Sequence, residues 1–215
     1  MRAIALYGSQ FPEVIKLVNA INRVEPRWSV LGFLDDRAEV AGGSVMGLPV
    51  LGGRDQLPDL AASGVAVFNN VSGKASNARH VAGLVDAAGC ELVSLVHPAV
   101  DLDFVELGRG AILPEGCVVG SRTRIGEHLA ARLHVVISHD VVIEDFVFIG
   151  PGSVLGSHVH VEQCAFLGAG VTVMTGCRIG HHSVIGAGAL VTRDVPPGVT
   201  VGGARGQVIR QQGRE

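Results

Sequence analysis

Two architectures joined in one chain are what this sequence predicts: a small α/β domain over residues 1–98, then a parallel β-helix over residues 99–215. Three observations carry the reading. Strand-like and helix-like segments alternate up to His97-Pro98, aliphatic residues then recur at every sixth position, and glycine appears 30 times while aromatics make up only 4%. A core poor in rings and rich in Val, Ile, Leu and Ala suits thin, regular, repeated layers.

In the front part, residues 3–8 (AIALYG) read as a buried strand, 12–24 (PEVIKLVNAINRV) as an amphipathic helix and 28–36 (WSVLGFLDD) as a second strand. This βαβ opening is Rossmann-like. A strand at 65–71 (VAVFNNV), a helix at about 74–88 and a strand at 91–97 (ELVSLVH) continue the alternation and predict a small parallel sheet.

From Leu107 the period is six. The series runs Leu107, Leu113, Val119, Ile125, Ala131, Ile137 and onward without interruption to Val191, fifteen positions in all. Glycine follows eight of them, and the residue two before is often small, as at Cys117, Thr123, Ser153 and Cys177. A surface α-helix needs a period of ~3.6 and does not tolerate this much internal glycine. A hairpin sheet needs strict alternation and wider turn spacing. A short strand plus a turn every six residues lets each aliphatic side chain stack on its equivalent in the next coil.

Composition narrows the function. A net charge of −3 and a pI near 6.3 give no electrostatic reason to expect nucleic acid or an anionic membrane as partner. No run of ~18 apolar residues occurs, so no membrane insertion is expected. Four cysteines without a CxxC pair read as reduced thiols, and with the unleadered N-terminus they predict a cytoplasmic protein.

The repeat pattern resembles the left-handed parallel β-helix of hexapeptide-repeat acyltransferases, with three hexapeptides per coil and therefore five coils. Residues 136–146, Val-Ile-Ser-His-Asp-Val-Val-Ile-Glu-Asp-Phe, are similar to the catalytic segment of sugar acetyltransferases of the sialic-acid O-acetyltransferase and bacillosamine or perosamine N-acetyltransferase type. With the front domain included, the resemblance covers nearly the whole chain. It implies His139 as general base and Asp140 as its support, acetyl-CoA as acyl donor, a nucleotide-linked amino sugar as acceptor, no metal, and a homotrimer with sites between neighbouring helices. A histidine suits the chemistry, because an amine attacking a thioester must lose a proton at neutral pH. Direct transfer of this kind needs no covalent intermediate.

The same resemblance points to Ser157, whose amide is placed to hold the acetyl oxygen, and to the backbone at Ala169, Ala187 and Gly188 as the track of the pantetheine arm. Those lie in Leu-Gly-Ala-Gly (167–170) and Ile-Gly-Ala-Gly-Ala-Leu-Val (185–191). In the front domain it implies that Gly8, Asp35 and Asp36 contact the nucleotide sugar, although Tyr7-Gly8-Ser9-Gln10 stands where relatives have several glycines. Asp35 and Asp36 read equally as a solvated strand end. Three further positions depart from the pattern: Phe148 replaces a histidine that contacts the acetyl carbonyl, Arg132 replaces an asparagine, and Ser157 replaces a glycine. The ending at 202–210 (GGARGQVIR) resembles the family's terminal segment, with Ala204 for its usual proline.

Spacing adds an expectation of its own. Eighteen residues per coil stack His139 beneath Ser157, and Asp140 beneath His158. His128, His134, His181 and His182 read as surface positions. Three alternatives stay open: a sugar O-acetyltransferase, a non-catalytic nucleotide-sugar-binding protein, and a metal-dependent hydratase on the same helix, for which His134 and His139 have the five-residue separation but not the register.

Overall fold

The computed structural model describes residues 1–202, so the resemblance noted at 203–210 lies outside the described residues. The front sheet has the order β3-β4-β2-β1-β5. Its strands are β1 (Arg2–Tyr7), β2 (Trp28–Leu34), β3 (Ser44–Val45), β4 (Leu48–Gly52) and β5 (Ala66–Asn69). Helices α1 (Val14–Val24), α2 (Leu57–Ala62) and α3 (Ala75–Ala87) connect or cover them. β1, β2, β4 and β5 run parallel, but β3 and β4 form an antiparallel hairpin that alternation alone does not reveal.

Helix α1 puts Val14, Leu17, Val18 and Ile21 on one buried stripe, as its 3.6-residue spacing requires. That stripe packs with Ile4, Leu6 and Phe68 of the sheet and reaches Ile112 and Ala130 of the repeat region. Helix α3 packs Val81 and Val85 on the other side.

The expected strand over 91–97 is divided between the two parts. Leu92 makes an isolated bridge to Val67 of β5, whereas Leu95–Val96, β6, pairs with Ile112–Leu113. β6 is thus the first rung of a β-helix face, because the amides of Leu95 and His97 donate to the carbonyls of Ala111 and Leu113 rather than to β5.

From residue 106 the chain winds as a left-handed parallel β-helix with three faces. Face I contains Glu106–Leu107, Arg124–Ile125, Val142–Ile143, His160–Val161 and Arg178–Ile179. Face II contains β6, Ile112–Leu113, Ala130–Ala131, Phe148–Ile149, Phe166–Leu167, Val184–Ile185 and Thr200–Val201. Face III contains Val118–Val119, Val136–Ile137, Val154–Leu155, Thr172–Val173 and Leu190–Val191. From Glu106 to Val191 the strands pair at a spacing of eighteen residues, as Val136 does with Val154 and Phe148 with Phe166.

The inward residues form one continuous core, with Ile137, Ile143, Ile149, Leu155 and Val161 all at most 1% exposed. Thr123, Ser153 and Ser183 occupy the small inward positions, and their hydroxyls are satisfied by carbonyl oxygens of the turns.

The corners need a left-handed residue every six positions. φ lies between 55° and 77° at each from Phe104 to Gly188. Six of these sites are glycine, but Phe104, Arg122, His128, His134, Asp140, Phe146, His158, Cys164 and His182 adopt the same conformation, at roughly 1 kcal/mol or more apiece. The glycines that follow the stacked aliphatics serve a different need. A Cβ on Gly120 would lie 2.5 Å from the amide nitrogen of His139 in the next coil.

Candidate active site

His139 and Asp140 occupy the corner where face III turns into face I. In a three-sided prism that edge lies opposite face II. The eighteen-residue register stacks Ser121-Arg122, His139-Asp140 and Ser157-His158 along it, and the amide of His158 donates to the carbonyl of His139 at 3.2 Å.

A continuous polar chain runs through these corners. Arg122 donates from Nε to Oδ1 and from Nη2 to Oδ2 of Asp140, at 2.7 and 2.6 Å. Oδ2 of Asp140 meets Nδ1 of His139 at 2.6 Å, and Nε2 of His139 meets the Ser157 hydroxyl at 2.9 Å. That hydroxyl in turn lies 2.9 Å from the hydroxyl of Ser138. The Arg122 guanidinium, and then His139, hold the Asp140 carboxyl well below the usual carboxylate range. An ionised carboxylate only accepts, so Nδ1 carries the proton and Nε2 presents a lone pair. The histidine side chain is 49% exposed, open to an incoming substrate.

His158 sits edge-on to His139, with ring centroids 5.5 Å apart. His139, Asp140 and His158 each offer a ligand atom within 4.8 Å of the others. Three such donors are the minimum for zinc, but both oxygens of Asp140 are engaged by Arg122. His134, the other imidazole of the hydratase reading, lies on the edge between faces II and III, away from His139.

Ala169, Ala187 and Gly188 are exposed on that same edge between faces II and III. They stack on one another, the Gly188 amide donating to Ala169 at 2.8 Å. Face III therefore separates them from His139 and Ser157 within one chain.

The front-domain candidates cluster at the C-terminal ends of β1 and β2. Asp35 is buried rather than a solvated strand end. Its Oδ2 accepts from the amide and hydroxyl of Ser9, at 3.0 and 2.6 Å, and from Arg37 Nη2 at 2.8 Å. Burial alone would raise its pKa, but the bonds from Arg37 and Ser9 outweigh burial and pull it below the ordinary range. Asp36 accepts from the Tyr7 hydroxyl at 2.7 Å and from Arg54. Gly8 has φ +102°, and a Cβ there would lie 2.7 Å from Cγ2 of Val71, so close packing alone accounts for glycine.

Two departures from the expected pattern form one contact. The Arg132 guanidinium lies over the rings of Phe11 and Phe148, 4.5 and 5.2 Å from their centroids, and bonds the Ser72 hydroxyl. Phe148 stacks on Phe166. These residues sit on face II, where they tie the front domain to the β-helix. A cleft of about 630 Å³ between α1 and face II is lined by Phe11, Lys16, Asn70, His97, Arg132 and Phe148.

His128 is a correction to the surface reading: it is buried and stacks on Phe146 at 4.7 Å, where the corner between faces I and II meets the front domain. His134, His181 and His182 are exposed. All four cysteines are free and buried, and burial raises their thiol pKa values, that of Cys117 to about 11, so none is set up as a thiolate nucleophile.

Comparison with known proteins agrees with this layout. The family model "Bacterial transferase hexapeptide (six repeats)" matches residues 158–193. A GDP-perosamine N-acetyltransferase from Caulobacter crescentus, solved with CoA and GDP-perosamine, superposes with a TM-score of 0.86 at 26% identity over 94% of both chains. This chain has the fold of the hexapeptide-repeat sugar acetyltransferases. WeeI from Acinetobacter baumannii AYE superposes at a TM-score of 0.82 and 26% identity, covering 94% of this chain and 97% of that one. In sequence, an acyl-[acyl-carrier-protein]–UDP-N-acetylglucosamine O-acyltransferase from Aliivibrio fischeri is 34% identical over 101 residues, 47% of this chain and 37% of the relative. The chain thus spans little more than a third of the curated relatives it matches.

The structure brings together His139, Asp140 and Ser157, which the sequence singled out, and joins to them Arg122 and Ser138, which it did not. Counting eighteen residues back from Asp140 would have found Arg122.

Proposed function

We propose that this chain transfers an acetyl group from acetyl-CoA to the amine of a nucleotide-linked amino sugar. The observation that carries the reading is the arrangement at the exposed corner: a half-exposed imidazole whose Nδ1 is held by an ionised Asp140, which leaves Nε2 as the basic nitrogen. The likeness over 94% of the chain to an N-acetyltransferase solved with CoA and GDP-perosamine supports thioester and sugar nucleotide as substrates.

The acceptor would be held by the front domain, where Gly8, Asp35 and Asp36 lie, and by the cleft beside α1, which Arg132 lines. That domain packs on face II, opposite the His139 edge, and the cleft is not lined by His139. A complete site therefore calls for a second subunit. Face III presents an apolar row for it, with Val118, Val154 and Leu190 exposed at 57%, 39% and 61%. Its two edges carry His139 with Ser157 and Ala169 with Ala187 and Gly188, so a neighbour on face III would enclose a CoA arm along both rows. This supports a homotrimer. Among the described residues no helix is long and apolar enough to cross a membrane, and a cytoplasmic supply of acetyl-CoA fits the reading.

The sequence likeness to an O-acyltransferase keeps transfer to a hydroxyl as a second reading. A thiol-release assay with acetyl-CoA against UDP-, GDP- and dTDP-linked amino sugars, with the product's acetyl position assigned by NMR, tests both. Release with an amino sugar that disappears in His139→Asn is expected. An acetyl group found on a hydroxyl of the product would replace N-transfer by O-transfer, and no release with any acceptor would leave a binding protein.

A further inference from the structure

We propose that the cleft between α3 and the edge joining faces I and II is a second ligand site, which takes a nucleoside polyphosphate with its base against Phe166 and its phosphates against Lys74 and Arg79. The cleft encloses about 770 Å³, within the range of small-molecule sites. Of its lining only Phe148 is shared with the cleft beside α1, and His139 takes no part in either. It opens opposite face III, so subunits packed on face III leave it accessible.

One wall is cationic. α3 and the residue before it bring Lys74, Arg79 and His80, the β-helix adds His182, and no acidic side chain lines the cleft. That reverses the balance of the whole chain, whose net charge is −3. The bonds of Arg79 go to uncharged groups: Nη2 donates to the Cys164 sulfur at 2.9 Å and to Gln163 Oε1 at 3.4 Å, and burial raises the pKa of that thiol, so it stays neutral. Ala75 and Ser76, which also line the cleft, begin α3 without an acidic residue or a side-chain cap, so their amides have no acceptor within the helix. Unpaired cations converging on one concavity suit a ligand with several charged oxygens, which phosphate groups supply.

The other wall is apolar and flat. The outward positions of face II pair in the order Ala130, Phe148, Phe166 and Val184. The front domain buries Ala130, but the column emerges from beneath it: Phe166 is half-buried and Val184 is 38% exposed. Phe148 and Phe166 lie within 3° of parallel, their centroids 4.5 Å apart. Val184 stands where a third ring would continue the stack, so a planar base has an aromatic face to lie on. Base and phosphates together match both walls. Because α3 belongs to the front domain while Phe166 and His182 belong to the β-helix, a ligand held here would also stabilise their packing.

Irradiation of the whole chain with 8-azido-ADP, mapped by tandem mass spectrometry, locates the site. Label is expected on residues 74–80 or on Phe166 and His182. Titration calorimetry separates the two walls: ADP should bind at least about tenfold more tightly than pyrophosphate or adenosine. The double variant Lys74→Gln, Arg79→Gln should weaken ADP about tenfold or more, and Phe166→Leu should weaken ADP but not pyrophosphate. Thermal unfolding without ligand checks that both variants fold, and both should keep the wild-type rate of acetyl transfer. Nucleotide binding is read without that reaction, so it stands or falls apart from the proposed function. Displacement of the label by CoA would make the adenosine end of CoA the occupant; displacement by ADP and UDP but not by CoA would make it a free nucleotide; either upholds the site. Label confined to Gly8, Asp35 and Asp36, or pyrophosphate bound as tightly as ADP, would overturn it. So would capture by anionic lipid vesicles, lost in the double variant, with no binding of ADP, which would assign the cations to a membrane surface.

Discussion

Arg122 and Asp140, eighteen residues apart, are joined by two parallel hydrogen bonds of 2.7 and 2.6 Å across adjacent coils. The guanidinium is exposed and the pair adds little to stability on its own. Its consequence is positional: Asp140 stays ionised and its Oδ2 stays fixed on His139. Arg122→Ala should therefore lower kcat about three- to tenfold with KM nearly unchanged, and Arg122→Lys should recover only part, since an ammonium does not reproduce the two-pronged contact. A raised KM for the acceptor with kcat unchanged would instead assign Arg122 to binding.

His139→Asn should reduce kcat by about 10²- to 10⁴-fold, the range for removing a general base. Because the ring is half exposed, unfolding free energy should change by less than about 0.5 kcal/mol. Steady-state kinetics beside a urea titration of the same preparation separates the two effects.

Gly120→Ala should damage fold and site together. Its Cβ would lie 2.5 Å from the His139 amide nitrogen and 2.6 Å from the Ser138 carbonyl carbon, both backbone atoms that cannot swing aside. A cost of about 1–3 kcal/mol is expected, with a fall in kcat on the scale of the His139 variant. Gly152→Ala is the contrast: nothing lies within 4 Å of its Cβ, so only the left-handed φ of +67° is strained, and about 1 kcal/mol should be lost with activity kept.

Asp35 should make stability pH-dependent. Its folded pKa lies below its unfolded value of about 3.9, so its contribution is present above that value and is lost as pH falls through the folded one. Asp35→Asn should unfold about 2 kcal/mol more easily at pH 7, with the gap to wild type closing below about pH 4. Denaturant titrations of both proteins across pH 3–7 would show the gap narrowing toward the acid end; a gap constant with pH would mean that Arg37 and Ser9 do not favour the charged carboxylate.

Exhaustive dialysis against a chelator should leave acetyl transfer unchanged, since a base held as His139 is by Asp140 would take the proton without a Lewis acid. A loss restored by zinc would instead make His139, Asp140 and His158 metal ligands and revive the hydratase reading.

The sequence by itself determined the repeat and, with it, much of the site. A six-residue spacing of aliphatics over fifteen positions leaves no other regular way to bury them, and eighteen residues per coil place Ser157 on His139 by counting alone. Tertiary structure decided what depends on contacts between distant segments. Leu95–Val96 could be assigned to the β-helix only once Ile112–Leu113 was there to pair with it. His128 is buried because the front domain packs over its corner, while Arg132 and Phe148 meet Phe11 only when that domain docks on face II. Docking on one face of a prism leaves the opposite edge bare. That separation of His139 from the front domain is a property of three dimensions that periodicity along the chain does not carry.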